Sequence, residues 1–182
     1  MRRREFFIVI GGAAITWPLA ARSQTTPQII GLLSSRSPNE SASVVAAFRE
    51  GLSERGVFDG QNAKLEFRWA EGQYDRLPAL ASELVDRGVA LIAATGDAVS
   101  ALAAKAATAT IPIVFVIGGD PVRFDLVESM NRPGGNITGV SLISSALGAK
   151  RLGLMYDLVP NAAVVGLLVN PDNPNAEKDV QE

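Results

Sequence analysis

Between Gln28 and Val140 the sequence switches repeatedly between two hydrophobic periods, and this alternation restricts the folds open to it. QIIGLLSS, starting at Gln28, is a nearly continuous apolar run with β-branched members, as expected of a strand buried on both faces. From Asn39-Glu40 a helical pattern places Val44, Val45, Phe48 and Leu52 on one side and stops at Gly56. The unit then recurs. AKLEFRWA (Ala63 to Ala70) reads as a strand, and Tyr74 to Arg87 reads as a helix with Leu77, Leu80, Leu84 and Val85 on one face and Gly88 as its stop. VALIAAT (Val89 to Thr95) precedes an alanine-rich helical run from Asp97 to Thr108. PIVFVIG (Pro112 to Gly118) gives a further strand, followed by an expected short helix near Val122 to Met130 and a last strand at Asn136 to Val140. Apolar strands alternating with helices predict an α/β fold, a doubly wound parallel sheet covered on both faces, with the common strand order 2-1-3-4-5.

After Ser141 the pattern resumes, with a helix expected from Ser145 to Leu158 and an apolar strand, AVVGLLVN, from Ala163 to Asn170. One strand and one helix cannot enclose a core, so this stretch reads as the start of a second α/β lobe. The expected organisation is therefore an export signal over 1–23, an N-terminal α/β lobe over 24–140, and a hinge crossover with an incomplete second lobe over 141–182. No short-period repeat or low-complexity tract interrupts it.

The leader supports the first of these segments. Arg2, Arg3 and Arg4 precede an apolar stretch from Phe6 to Leu19, broken by Gly11, Gly12 and Pro18, and Ala21-Arg22-Ser23 offers a small-x-small cleavage site. A membrane anchor would need about 20 unbroken apolar residues. The arginines followed by Glu5-Phe6-Phe7 match a twin-arginine signal, with the general secretory route as the alternative, and either implies a periplasmic location. Cleavage after Ser23 removes four arginines and one glutamate, which leaves a net charge of about −5 and no basic stripe for nucleic acid. Cysteine and histidine are both absent. Disulfides, thiolate metal sites and a histidine general base are thereby excluded.

In an open parallel sheet, ligands bind beyond the carboxyl ends of the strands, where the strand order reverses. Here that places Ser34-Ser35-Arg36-Ser37 and Thr95-Gly96-Asp97 together, each leading into a helix whose exposed N–H groups suit a carboxylate. Simple helix capping by these serines and Thr95 is the structural alternative. Gly118-Gly119-Asp120 follows the fourth strand; its glycines allow close approach and Asp120 can accept from an ammonium group, although a plain turn would use the same residues. Trp69 and Tyr74 line a strand end, and Glu71 with Asp75 reads as solvated surface. There is no G-x-x-x-x-G-K-[ST] loop and no G-x-S-x-G elbow. GGNITG (Gly134 to Gly139) precedes a strand and does not open a helix, unlike a nucleotide fingerprint.

The leader ending WPLAARSQ, then IIGLLSS, FREGLSERGVFDGQNAKLEFRWAEGQYDRLPALASELVDRGVALIAATG, IPIVFVIGGDPV, NRPGGNITGVS and RLGLMYDLVPNAAVVGLLVNPDNPNAE resemble the ABC transporter substrate-binding proteins of the tryptophan/tyrosine-like branch. The resemblance implies the type I periplasmic-binding fold, two lobes closing on a small ligand such as an amino acid or aromatic compound, no cofactor, no catalytic residue, and an ABC permease as partner. Ser34, Ser35, Thr95, Gly96, Asp97, Gly118, Gly119 and Asp120 fall in the loops that form the family's cleft. It further implies that Thr95-Gly96 meets the ligand carboxylate and Asp120 its ammonium group, and that much of a second lobe is missing from the sequence. Two other readings stay open: an exported enzyme limited to Ser–Lys or carboxylate chemistry, and a ligand-sensing domain.

Overall fold

The computed structural model describes residues 27–142, 147–171 and 173. The leader expected over 1–23, and the stretch after Asn173, lie outside the described residues. The chain forms β1 (Gln28–Ser34), α1 (Ala42–Glu54), β2 (Ala63–Trp69), a single 3-10 turn (Tyr74–Arg76), α2 (Leu77–Asp86), β3 (Leu91–Thr95), α3 (Ala98–Ala107), β4 (Ile113–Ile117), β5 (Ile137–Ser141) and α4 (Gly148–Leu158). The strands make one sheet in the order β2-β1-β3-β4-β5, every neighbour parallel, as the alternation predicts.

The sheet's faces are filled unequally. On one, α2 contributes Leu77, Leu80, Ala81 and Leu84, and α3 contributes Ala98, Ala101 and Ala104, all buried against Leu33, Ile92, Ala94, Ile113, Phe115 and Ile117. Gly31 in β1 makes room for this contact, because a Cβ there would stand 3.0 Å from both methyls of Leu84. Full burial of one such leucine is worth about 1.5–3 kcal/mol, so this face holds most of the lobe's apolar stabilisation.

On the other face α1 lays Phe48 and Leu52 over Ile30, Ala63 and Leu65, yet none of its own residues is fully buried. This helix begins later than the pattern predicts, at Ala42. Ser37 and Glu40 form a reciprocal capping pair ahead of it: Ser37 N donates to Glu40 Oε2 at 2.9 Å, and Glu40 N donates to Ser37 Oγ at 3.4 Å. These contacts, the backbone one first, hold the Glu40 carboxyl below its ordinary pKa. Among the described residues, no element covers this face beyond α1. β4 alternates buried Ile113, Phe115 and Ile117 with exposed Val114 and Val116, and Val140 is exposed beside Val116 in the register. The expected cover on both faces is thus complete on one and partial on the other.

Two expected elements take other forms. The stretch from Val122 to Met130 is a series of turns, not a helix. Asp125 adopts a left-handed φ of 54°, and Leu126 N reaches back to Pro121 O, so helical hydrogen bonding never becomes regular. Its apolar residues still face inward, with Phe124, Leu126 and Val127 buried in the main core. The stretch from Ala163 to Asn170 has no regular secondary structure and joins no ladder, because no strand among the described residues lies beside it. Leu167 and Leu168 are accordingly exposed, as are Leu152, Leu154 and Met155 of α4.

Candidate ligand-binding site

Parallel strands bring β1 and β3 together at the point where the chain reverses direction across the sheet, and Ser34 pairs with Thr95 there. The next residue on the other side is Trp69, paired with Ser34 at the end of β2. Trp69, Ser34 and Thr95 therefore form one row across the carboxyl edge. Trp69 stacks on Phe67 with ring centroids 5.7 Å apart, and the Arg49 guanidinium lies 5.4 Å from the Phe67 centroid.

The polar groups of this row are nearly all engaged. Ser34 Oγ accepts from Arg36 N at 3.2 Å. Ser35 N donates to Ser100 Oγ at 2.9 Å, a buried bond joining the first loop to α3. Asp97 caps α3 by accepting from Ser100 N at 3.2 Å. Gly96 carries a φ of +99°, and a Cβ on it would collide with Ser35 Oγ. The loop between β2 and α2 is tied in as well: Ala70 N donates to Ser34 O at 2.9 Å and Gly72 N to Ser35 O at 2.7 Å. Beside Gly72, Glu71 has a left-handed φ of 55°, the kind of local strain that clusters at functional loops.

One group in the row has no partner among the described residues. Thr95 is 7% exposed, and its Oγ1 is buried without a hydrogen bond. An unmet hydroxyl of this kind costs about 1–3 kcal/mol unless something supplies the missing bond. It stands beside Ser34 in the β1–β3 register.

Ser34, Ser35, Thr95, Gly96 and Asp97 thus come together as the switch-point rule requires. Gly118, Gly119 and Asp120 lie at the same edge, one strand further along, and are held by β5 and by their own turn. Ser141 Oγ donates to Gly119 O at 2.6 Å, and a Cβ on Gly119 would meet the Phe124 ring at 2.5 Å. Asp120 is exposed, and its Oδ1 accepts from Val122 N at 2.9 Å. Glu71 and Asp75 are exposed, as surface residues would be. Ser100 was not singled out by the sequence, although its spacing three residues after Asp97 is the signal of a capped first turn.

The family described as ABC transporter substrate binding protein matches residues 35–182. A tyrosine-binding protein of Clostridioides difficile (strain R20291) is 35% identical over 133 residues, which is 73% of this chain and 38% of that protein. A conserved domain protein from Vibrio cholerae superposes with a TM-score of 0.75 at 25% identity, over 85% of this chain and 51% of that one. The Streptococcus ABC domain solved with L-Trp gives a TM-score of 0.72 at 27% identity, covering 86% and 52%. A ligand-free, open substrate-binding protein with adhesive properties from Clostridium difficile gives 0.60 at 27% identity, covering 85% and 51%. The chain therefore spans about half the length of these solved structures. Sequence and architecture agree: the chain belongs to the ABC transporter substrate-binding protein family.

Proposed function

We propose that this protein is the solute receptor of an ABC importer, capturing an amino acid between two lobes outside the inner membrane and delivering it to a permease. The observation that carries this reading is the buried, unpartnered Thr95 hydroxyl at the switch point, beside Ser34 and the start of α3. In this reading the ligand carboxylate takes Thr95 Oγ1 and the backbone at Gly96, and Asp120 takes the ammonium group with its second carboxylate oxygen. Trp69 offers an aromatic surface in the same row. The names of the relatives, one binding tyrosine and one holding L-Trp, make aromatic amino acids the first ligands to try. No step of such a cycle needs a catalytic residue or cofactor.

Calorimetric titration of the chain with L-tyrosine and L-tryptophan tests the reading. Saturable binding is expected, with Thr95→Val weakening it about tenfold, which is about 1.4 kcal/mol. Absence of heat from every amino acid tried would reject it. We propose export by the twin-arginine route on the strength of the leader, with an N-terminus within a few residues of Gln24 in the periplasmic fraction. Mass spectrometry showing an intact Met1 on a cytoplasmic form would count against export. Unchanged export after Arg3→Lys with Arg4→Lys would assign the general secretory route instead.

A further inference from the structure

Leu33 and Ala94, each one residue before the Trp69–Ser34–Thr95 row, are buried in the core under α2 and α3. Side chains alternate along a strand, so Trp69, Ser34 and Thr95 project from the opposite face, the side on which Leu65 and Phe67 pack with Phe48 and Leu52 of α1. The unpartnered Thr95 hydroxyl and the Trp69 indole thus share a face of the sheet, two strands apart. At about 4.8 Å per strand, their Cα atoms are separated by about 10 Å. A ligand whose carboxylate takes Thr95 must lay its side chain across Ser34 to touch Trp69, which an aromatic side chain can do and the methyl of alanine cannot.

The indole is held by a chain of contacts that starts on the β2 backbone. Asp59 accepts from Leu65 N through Oδ1 at 3.0 Å, and from Arg49 Nη2 of α1 through Oδ2 at 3.3 Å. The Arg49 guanidinium so placed lies 5.4 Å from the Phe67 centroid, and Phe67 stacks on Trp69 with ring planes only 4° apart. Guanidinium, phenyl and indole form one group, in the offset arrangement that aromatic quadrupoles favour. Trp69 is half-buried all the same, so part of its ring surface remains accessible.

We infer that Trp69 is the specificity-determining residue of this site, selecting ligands with a planar aromatic side chain by stacking, and that Phe67 and Arg49 are positioning residues that fix the indole before a ligand arrives. The inference rests on the receptor reading, since it takes a ligand anchored at Thr95. An aromatic surface already fixed in place loses little side-chain freedom on binding, so its contact adds to the discrimination between ligands instead of being spent on ordering the site.

Calorimetry with L-tyrosine and L-leucine separates this role from simple packing. The parent chain is expected to prefer L-tyrosine. Trp69→Leu should weaken L-tyrosine binding about five- to tenfold and leave L-leucine within about twofold, while Trp69→Phe keeps most of the preference and Phe67→Leu loses part of it. Equal losses for both ligands, as a packing defect gives, or an unchanged tyrosine-to-leucine ratio in Trp69→Leu or Phe67→Leu, would overturn the inference. Fluorescence supplies a second readout, because the sequence has two tryptophans and Trp17→Phe leaves Trp69 alone. L-tyrosine should change its emission with the same midpoint as the calorimetric titration; calorimetric binding with unchanged emission would overturn the inference too. Flat heats with every amino acid would reject the receptor reading and this role with it, whereas binding that does not depend on Trp69 would reject the role alone.

Discussion

The two faces of the same sheet are built to different standards. Beneath α2 and α3, every inward position from Leu33 to Ile117 is closed off, and Gly31 is reduced to a bare backbone so that Leu84 can seat itself. Beneath α1, Phe48 and Leu52 shelter the β1–β2 half only, and Val114, Val116 and Val140 remain 37%, 40% and 55% exposed. The same strands supply both faces, so the contrast comes from helix placement. It teaches that cohesion of this lobe depends on one helical layer, while the opposite layer chiefly shapes the approach to the carboxyl edge, where Ser37 and Glu40 lead from the site into α1.

That contrast can be broken by substitution. Leu84→Ala empties a fully buried position and should cost about 3 kcal/mol or more in urea denaturation, whereas Phe48→Ala, on a half-buried ring, should cost about 1–2 kcal/mol. Equal losses would mean that α1 contributes as much as α2. Acid should sharpen the comparison next. Glu66 bonds to Arg87 at the end of α2, with Nη2 to Oε1 at 2.7 Å, and to Lys64 at 3.0 Å. The Arg87 bonds first, then Lys64, lower its pKa from 4.5 to about 2. The folded value lies below the unfolded one, so this contribution is complete above pH 4.5 and is lost as pH falls toward about 2. Glu66→Gln should remove that part of the acid dependence; an unchanged pH profile of stability would show that the pair does not hold α2 to β2. The smallest effect is expected on the open face, where Val116→Thr should shift stability by no more than about 0.5 kcal/mol, read from the same denaturation curves. A loss of several times that amount would reveal a cover over this face.

Element order, strand order and the meeting of Ser34, Ser35 and Thr95–Asp97 were legible because they follow from hydrophobic period and from the geometry of parallel crossovers. The half-open face was not, because β4 reads IVFVI and an apolar run is equally apolar toward both sides. Val122 to Met130 misled for a related reason: Phe124, Leu126 and Val127 carry an inward pattern, but Pro121 and the left-handed Asp125 turn the backbone away from helical geometry. AVVGLLVN has the composition of a strand, and a strand exists only where a neighbour accepts its hydrogen bonds. Ser100 escaped notice because its partner Ser35, 65 residues away in the chain, is brought to it by tertiary packing.

The anchoring of the Ser34–Ser35 loop has a consequence for how the receptor proposed above would change its tastes. Its carbonyls are held by the amides of Ala70 and Gly72, and Ser35 N is held by Ser100, so the base of the site is fixed largely by main-chain atoms that most substitutions leave in place. Trp69, Tyr74 and Arg36 stand around that base as side chains. If the proposed receptor function holds, a lineage or a protein engineer would retune which solute is recognised by exchanging these three, while the main-chain groups proposed for a shared carboxylate stay where they are.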